Sequence, residues 1–327
     1  MFKTKSIIYL IIFFPIFLLD IIFHKIYKKE NSEISHQYMI RLFCFFGRKS
    51  NLIIKKILKE NDLYRIDDYR HDNLNNLDKD GFIIKKNYIS KNELNLIKNF
   101  LINECQGKYE SDNVKDVQIQ KVNLKNPLAT TFRYNTNEIL ESEEIQKIII
   151  DPKILSLCQN YFETIPIIDV VSSWWSFPSK NPDNYSAQHW HFDLDRPQWL
   201  KLFIFLTDCG ENNGAHKYIK SSHKSLDKKF LNMGYKRIKD EFIRDNFQKN
   251  EIVTMNAQEG SILIEDTLGL HKGQKLDEGN RLVLQIQYSS NLFGSKEIKK
   301  IKFPNRLSKE FLKYKNKFPK IFSNFYE

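Results

Sequence analysis

The order of patterns along the chain predicts a mainly β fold with helices: a double-stranded β-helix, or jelly roll, backed by α-helices and preceded by an apolar segment. Three observations predict it. Strand-like runs separated by turn residues fill the second half, helical patterns come before them, and a cluster of histidines falls among the strands. At 327 residues the chain has ample material for a buried core. It divides into an apolar segment over 1–30, a basic helical region and linker over 31–74, the jelly-roll domain over 75–295 and a basic tail over 296–327.

The formal charge of +11 belongs to the ends. Residues 1–60 carry eleven Lys/Arg against four acids, and residues 296–327 carry ten against three, net +7 each; the 235 residues between sum to −3. A nucleic-acid groove would need its cations in the functional domain, so that class of partner is excluded. Basic flanks beside an apolar segment suit an anionic membrane surface. Cysteines at 44, 105, 158 and 209 have no paired spacing, and predict neither a disulfide framework nor a zinc knuckle.

Residues 6–23 approach the ~20 apolar residues that cross a bilayer, though Pro15 and Asp20 interrupt them. No small-residue cleavage site follows in 24–29, which predicts an uncleaved anchor, spanning or lying in the interface. Lys3 and Lys5 oppose Lys25, Lys28 and Lys29, so the positive-inside rule does not orient it. Residues 36–60 have helical periodicity with interleaved cations; such helices rest on a membrane or pack against the domain that follows. A polar linker over 61–76 leads to a strand at 81–86. Ser90 and Glu93 form a capping box for a helix to about Glu104. Arg133 lies in a polar stretch before a second helical stretch, 142–162, broken near Asp151-Pro152; it contacts a substrate anion or forms a surface salt bridge. The β-branched and aromatic run 167–175 reads as a strand carrying Trp174 and Trp175 toward the site. With Trp190 and Trp199, all four tryptophans fall within 26 residues, as pocket wall or core filler.

Residues 200–206 form an apolar strand interrupted by Lys201, which faces an organic acid inside or solvent outside. The charged stretch 224–250 reads as a helical insertion, a lid or a cap. In 281–288, alternation puts Arg281, Val283, Gln285 and Gln287 on one face and Leu282, Leu284, Ile286 and Tyr288 on the other. If Arg281 points into the barrel, so do both glutamines, a polar interior that fits a small-molecule site. The tail, with Pro304 and Pro319, reads as short helices with exposed faces and a second membrane contact.

The chemistry concentrates in Gln188-His189-Trp190-His191-Phe192-Asp193. On an extended backbone His191 and Asp193 share a face and can converge on one metal ion. A non-haem ferrous centre takes a second histidine from elsewhere and leaves positions open. His271, after the apolar strand 261–264, is the candidate. Arg281 follows at ten residues, and a buried guanidinium needs an anion. Five of the eight histidines lie between 189 and 271. Among them His189 shares the His191 face and rivals it as a ligand, while His223 binds substrate or orients its loop.

The chain resembles the phytanoyl-CoA dioxygenase family over roughly residues 75–295. Asp78-Lys79-Asp80-Gly81-Phe82-Ile83-Ile84 with 89–93 resembles its opening strand and first helix. Residues 202–208 and 213–223 resemble its central strand and the loop ending in Gly-Ser-His, and 281–288 its closing strand. Ser221 stands where that loop more commonly has glycine, and Gly273 where some members carry a hydroxyl. The resemblance implies a cupin-like jelly roll in which His191, Asp193 and His271 bind Fe(II). It also implies that Arg281 grips 2-oxoglutarate. Lys201 and Gln285, where they face inward, are the further candidates to contact that co-substrate. O2 would then hydroxylate a small-molecule or lipid-like substrate as 2-oxoglutarate is decarboxylated. The carboxylate Asp193 argues against the halogenating branch. Because both cofactors are cytosolic supplies, the catalytic domain is expected to face the cytoplasm. A non-redox metal- or sugar-binding jelly roll, such as a cupin-like isomerase, and a non-catalytic membrane-associated protein stay open as alternatives.

Overall fold

A computed structural model describes residues 2–27, 32–59, 64–66, 74–111, 118–180, 187–224, 237–295 and 299–327, with side chains from residue 5 onward. Three helices lead: α1 (Phe2–Tyr27), α2 (Glu33–Phe46) and α3 (Arg48–Leu58). After α4 (Leu74–Asp80) come β1 (Phe82–Lys85), α5 (Lys91–Asn103), β2 (Gly107–Glu110) and β3 (Thr131–Tyr134). The single turn α6 (Thr136–Ile139) precedes α7 (Glu143–Ile149) and α8 (Pro152–Phe162). The capping box at Ser90 and Glu93 forms as expected. The break at Asp151-Pro152 has a plain cause: proline takes the first turn of α8, where no amide is needed, and Asp151 caps it.

The strands then follow closely: β4 (Ile167–Ser176), β5 (Trp199–Phe205), β6 (His216–Ile219), β7 (Ile252–Met255), β8 (Ile262–Glu265), β9 (His271–Gly273) and β10 (Arg281–Ser289). They make a seven-stranded sheet, β1-β8-β5-β10-β4-β3-β2, and a three-stranded sheet, β7-β6-β9. The smaller sheet is extended by an antiparallel bridge between His191 and His271. Its neighbouring strands, and those of the larger sheet, are antiparallel. This is the jelly-roll arrangement of two stacked sheets.

Alternation divides the larger sheet cleanly. Leu282, Leu284, Ile286 and Tyr288 of β10 pack outward with α5, α7 and α8 in the main hydrophobic core. The other face of the sheet meets the smaller sheet through Phe205, Val283, Leu263, Tyr218 and Met255. β4 obeys the same rule, which corrects the expectation for its tryptophans. Trp174 faces inward, whereas Trp175 joins the outer core and donates its indole N–H to Tyr134 Oη at 2.9 Å. Neighbouring residues on a strand cannot both face the site.

The tail is not a set of exposed helices. β11 (Ile301–Lys302) pairs in parallel with β12 (Phe325–Tyr326), and between them α9 (Lys309–Lys317) and a 3-10 turn (Pro319–Phe322) bury Phe311, Phe318, Ile321 and Phe322 in the main core. Its lysines line only the outer side of a packed element. Asp78, Lys79 and Asp80, matched to an opening strand, end the helix α4. The linker 61–76 falls largely outside the described residues, as do 225–236 of the insertion 224–250; among the insertion's described residues, a bridge at Ile238 and a short helix over 240–244 precede β7.

One buried charge network closes the structure. Asp169 on β4 receives two bonds of 2.7 Å from Arg196, and further bonds from Gln287 and Ser289 of β10. Arg196 also donates to the Leu292 carbonyl, so the pair ties the loop before β5 to the end of β10. Burial pushes the Asp169 carboxyl up, but Arg196 and its other donors outweigh this and hold it below the usual range. A depressed pKa stabilises the folded state above the unfolded value of about 3.9, and that contribution disappears as pH falls through the folded value. Asp169→Ala strands a buried guanidinium and is expected to lower unfolding free energy by about 3–5 kcal/mol near neutral pH. Denaturant melts should show the gap from wild type narrowing below about pH 4; a gap independent of pH would contradict the network's role.

Candidate metal centre

The ligand motif does not lie on a continuous strand. Only Trp190 and His191 form bridges, to Ile238 and His271 respectively. Asp193 sits in the loop beyond, held by its own amide, which donates to the Thr267 carbonyl at 2.8 Å. The convergence expected from strand alternation is therefore reached by a strand end and a pinned loop. His191, Asp193 and His271 nonetheless present ligand atoms all within 4.8 Å of one another. The Nε2 atoms of His191 and His271 lie 3.7 and 3.5 Å from the Asp193 oxygens.

Both imidazoles are oriented by their own backbone. His191 Nδ1 stands 2.8 Å from the His189 carbonyl, and His271 Nδ1 stands 2.9 Å from the Gly269 carbonyl. A carbonyl only accepts, so each Nδ1 carries the proton and each Nε2 turns a lone pair toward Asp193. Burial pushes the His191 imidazole down to about 4 and that of His271 to about 3, which keeps both neutral near physiological pH. His189, the rival ligand, contributes its carbonyl and is not in the cluster.

The turn before His271 is tightly specified. Asp266 accepts from the Leu268 amide, receives the Tyr161 hydroxyl at 2.7 Å and lies 3.7 Å from Arg48 of α3. The Tyr218 hydroxyl donates to the Asp266 carbonyl and fills the space where any Cβ on residue 269 would go, so glycine is required there by close approach.

Lys201 faces inward, but toward carboxylates. Its Nζ lies 2.6 Å from Asp193 and 3.3 Å from Asp195. Burial alone would lower its pKa, and the two carboxylates reverse that and raise it. The same contact helps hold the Asp193 carboxyl well below its usual range against the burial that pushes it up. Lys201, expected as a co-substrate contact, lines the cavity with its ammonium held on two adjacent carboxylates, whose charge it screens.

Arg281 is the cation with an anion still to find. It is buried, donates to the Gly214 carbonyl and to Ser176 Oγ, and has no carboxylate within ion-pair distance among the described residues; its Nε is without a partner. Gly214 has φ +87° and no room for a Cβ beside the guanidinium. Gly273 also flanks Arg281, and the hydroxyl absent from that position is supplied from β4 by Ser176.

These groups line one cavity of about 240 Å³, together with Trp174, Phe203, Phe205, Val283 and Gln285, with Arg237 and Ala187 also on its wall. One of the four tryptophans therefore walls the pocket. Trp190 and Trp199 bond Asp240 and Thr267 in the packing behind the metal loop. His216 also enters the cavity, 2.9 Å from Glu265 Oε2, a carboxylate with no exposed surface. Sequence patterns missed this pair, because it depends on the register that places Glu265 of β8 opposite inward-facing Lys201 of β5. His223 is not among the residues lining the cavity and holds its loop through the Asp78 carbonyl. Arg133 pairs with buried Glu110 and with Ser172 beside Trp174, a partly exposed salt bridge with the arginine side chain 34% exposed.

A family model described as phytanoyl-CoA dioxygenase (PhyH) matches residues 77–275. The chain belongs to this family. No curated protein matches it in sequence. Solved structures that resemble it include HygX from Streptomyces hygroscopicus with nickel, 2-oxoglutarate and hygromycin B bound, at 14% identity and TM-score 0.48 over 68% of this chain and 87% of that one. The epimerase SnoN from nogalamycin biosynthesis follows at 13% identity and TM-score 0.46, over 66% and 80%. The carbocyclase SnoK of the same biosynthesis stands at 10% and 0.47, over 70% and 87%.

Membership of the phytanoyl-CoA dioxygenase family implies Fe(II) and 2-oxoglutarate as cofactors, and the residues fit both. Two neutral imidazoles and one ionised carboxylate suit the facial donor set of a non-haem ferrous ion, and Arg281 in the same cavity, bonded only to neutral groups among the described residues, suits an organic acid. Arg281→Lys keeps the charge and loses the planar fork. It is expected to weaken 2-oxoglutarate binding about ten- to hundred-fold, roughly 1.4–2.8 kcal/mol, with Fe(II) affinity unchanged; calorimetry of the two ligands separately would check this.

Proposed function

We propose that this chain is an Fe(II)- and 2-oxoglutarate-dependent hydroxylase of a small-molecule or lipid-like substrate. The observation that carries the reading is one cavity holding a His-Asp-His donor set and a buried arginine without a carboxylate partner. His191, Asp193 and His271 would hold the iron, which with 2-oxoglutarate supplies oxidising power from O2.

The chain's own residues do the rest. The carbonyls of His189 and Gly269 fix the tautomers of the two imidazoles. Lys201 keeps Asp193 ionised and turned to one side. Arg281, backed by Ser176 and the Gly214 carbonyl, would orient the far carboxylate of 2-oxoglutarate. Trp174, Phe203, Phe205 and Val283 give the cavity a dry wall that shields the reacting centre from water and suits an apolar substrate carbon. Gln285 is placed to donate to a polar group on co-substrate or substrate. A membrane-associated site facing the cytoplasm fits the apolar α1 and the cytosolic supply of both cofactors.

Anaerobic addition of Fe(II) and then 2-oxoglutarate to the full chain should produce a visible metal-to-ligand charge-transfer band. His191→Ala should abolish it. A wild-type protein with bound metal and no band would sink the oxygenase reading. A band with succinate formation, but an isomerised or cyclised product once a substrate is found, would overturn hydroxylation alone.

A further inference from the structure

We propose that α1 lies in the plane of a lipid bilayer surface, its outward face in the boundary between headgroups and acyl chains, and does not cross the bilayer. This is independent of the oxygenase chemistry.

The helix has two faces of different fate. One, marked by Ser6, Leu10, Phe13, Phe17, Ile21 and His24 at steps of three or four, packs on α2, α3 and Phe293. The other presents Ile8, Ile11, Ile12, Phe14, Leu19 and Ile26, each 50–71% exposed. The hydropathy of 2.6 over its apolar window marks this helix as long and apolar enough to span. Its packing forbids that. At 1.5 Å per residue, the packed seam from 6 to 24 runs about 27 Å, nearly the ~30 Å thickness of a hydrocarbon core. A spanning α1 would drag its packed partners in with it.

Those partners carry polar and charged groups besides the apolar seam. Asp20 is on the packed side, where its Oδ2 accepts from the Ser32 amide at 2.9 Å, Ser32 Oγ at 2.5 Å and Ser35 Oγ at 2.6 Å. Arg41 of α2 lies over the Tyr9 ring at 3.9 Å, and Lys55 of α3 is directed at Glu163. Charged groups at that depth are costly in hydrocarbon. The carboxylate that weakened α1 as an anchor in the sequence is the group that fastens it to the protein.

The lipid partner is indicated by α3. Its exposed side carries Leu52, Ile53 and Ile57 beside Lys49 and Lys56, while Asn51, Ile54, Lys55 and Leu58 are buried. Lys25 Nζ donates to the Ile57 carbonyl at 2.8 Å, which joins the ends of α1 and α3. Apolar residues beside outward lysines match acyl chains beneath anionic phosphate headgroups. A second copy of this chain would bring like charges together.

The test uses the full chain with vesicles of phosphatidylcholine alone or with phosphatidylserine. The four native cysteines are buried, so single labels at Ile8→Cys, Phe14→Cys and Ile22→Cys can report depth by quenching with lipids brominated at different positions. In-plane binding gives one shallow depth at all three. A label at 14 near the midplane, with 8 and 22 shallower, means a span and overturns the proposal. Lys49→Glu with Lys56→Glu should reduce binding to the phosphatidylserine vesicles about five-fold or more, with binding to neutral vesicles little changed. Ile12→Glu with Leu19→Glu should release the protein from both, with circular dichroism unchanged. Failure of wild type to bind either vesicle, or a dimer by light scattering that dissociates in Ile12→Glu with Leu19→Glu, would assign the face to another copy and also overturn it.

Discussion

The two-residue repeat of β10 is the constraint on which the rest depends. Its odd-numbered side chains face the barrel interior, Arg281, Val283 and Gln285 at the cavity and Gln287 and Ser289 at Asp169, while its even-numbered ones join the helical core, so a slip of one residue would exchange Arg281 for Leu282 at the cavity. β10 lies between β5 and β4 and passes the same division to both. Lys201, Phe203 and Phe205 come inward from one neighbour, and Ser172, Trp174 and Ser176 from the other. The apolar contacts that place α5, α7 and α8 on the outside fix which face is in.

Charge is handled differently at the two ends of the barrel. Asp169 and Arg196 neutralise each other completely, and their work is structural. At the metal end the balance is left open: Lys201 is shared by Asp193 and Asp195, while among the described residues Arg281 has only neutral partners. Uncompensated charge in a buried setting is costly unless a ligand answers it, which is why the open end reads as a site and the closed end as a brace.

Much of this was legible from residue order. The capping box at Ser90, the break before Pro152 and the alternation of β10 are local effects, written in neighbouring residues. The convergence of the donor set followed from spacing and from resemblance. What escaped were consequences of register between distant strands: the inward turn of Trp174 alone, Ser176 behind Arg281, and Glu265 against His216. The tail misled for a related reason. Its composition is dominated by the lysines on one side, while a few aromatic residues at helical spacing decide where it packs.

Residues 33–58 are more than a tether. Phe43 of α2 packs at a tilt against Phe192, between the two ligands of the motif, at a ring separation of 5.4 Å, and Arg48 of α3 reaches the turn that carries His271. His36 holds the Gly294 carbonyl beyond the end of β10. The leader thus serves as a foundation slab for the coordination sphere. Trimming it to improve solubility would remove the floor beneath the iron, and an inactive trimmed enzyme would say nothing about whether its substrate is a lipid.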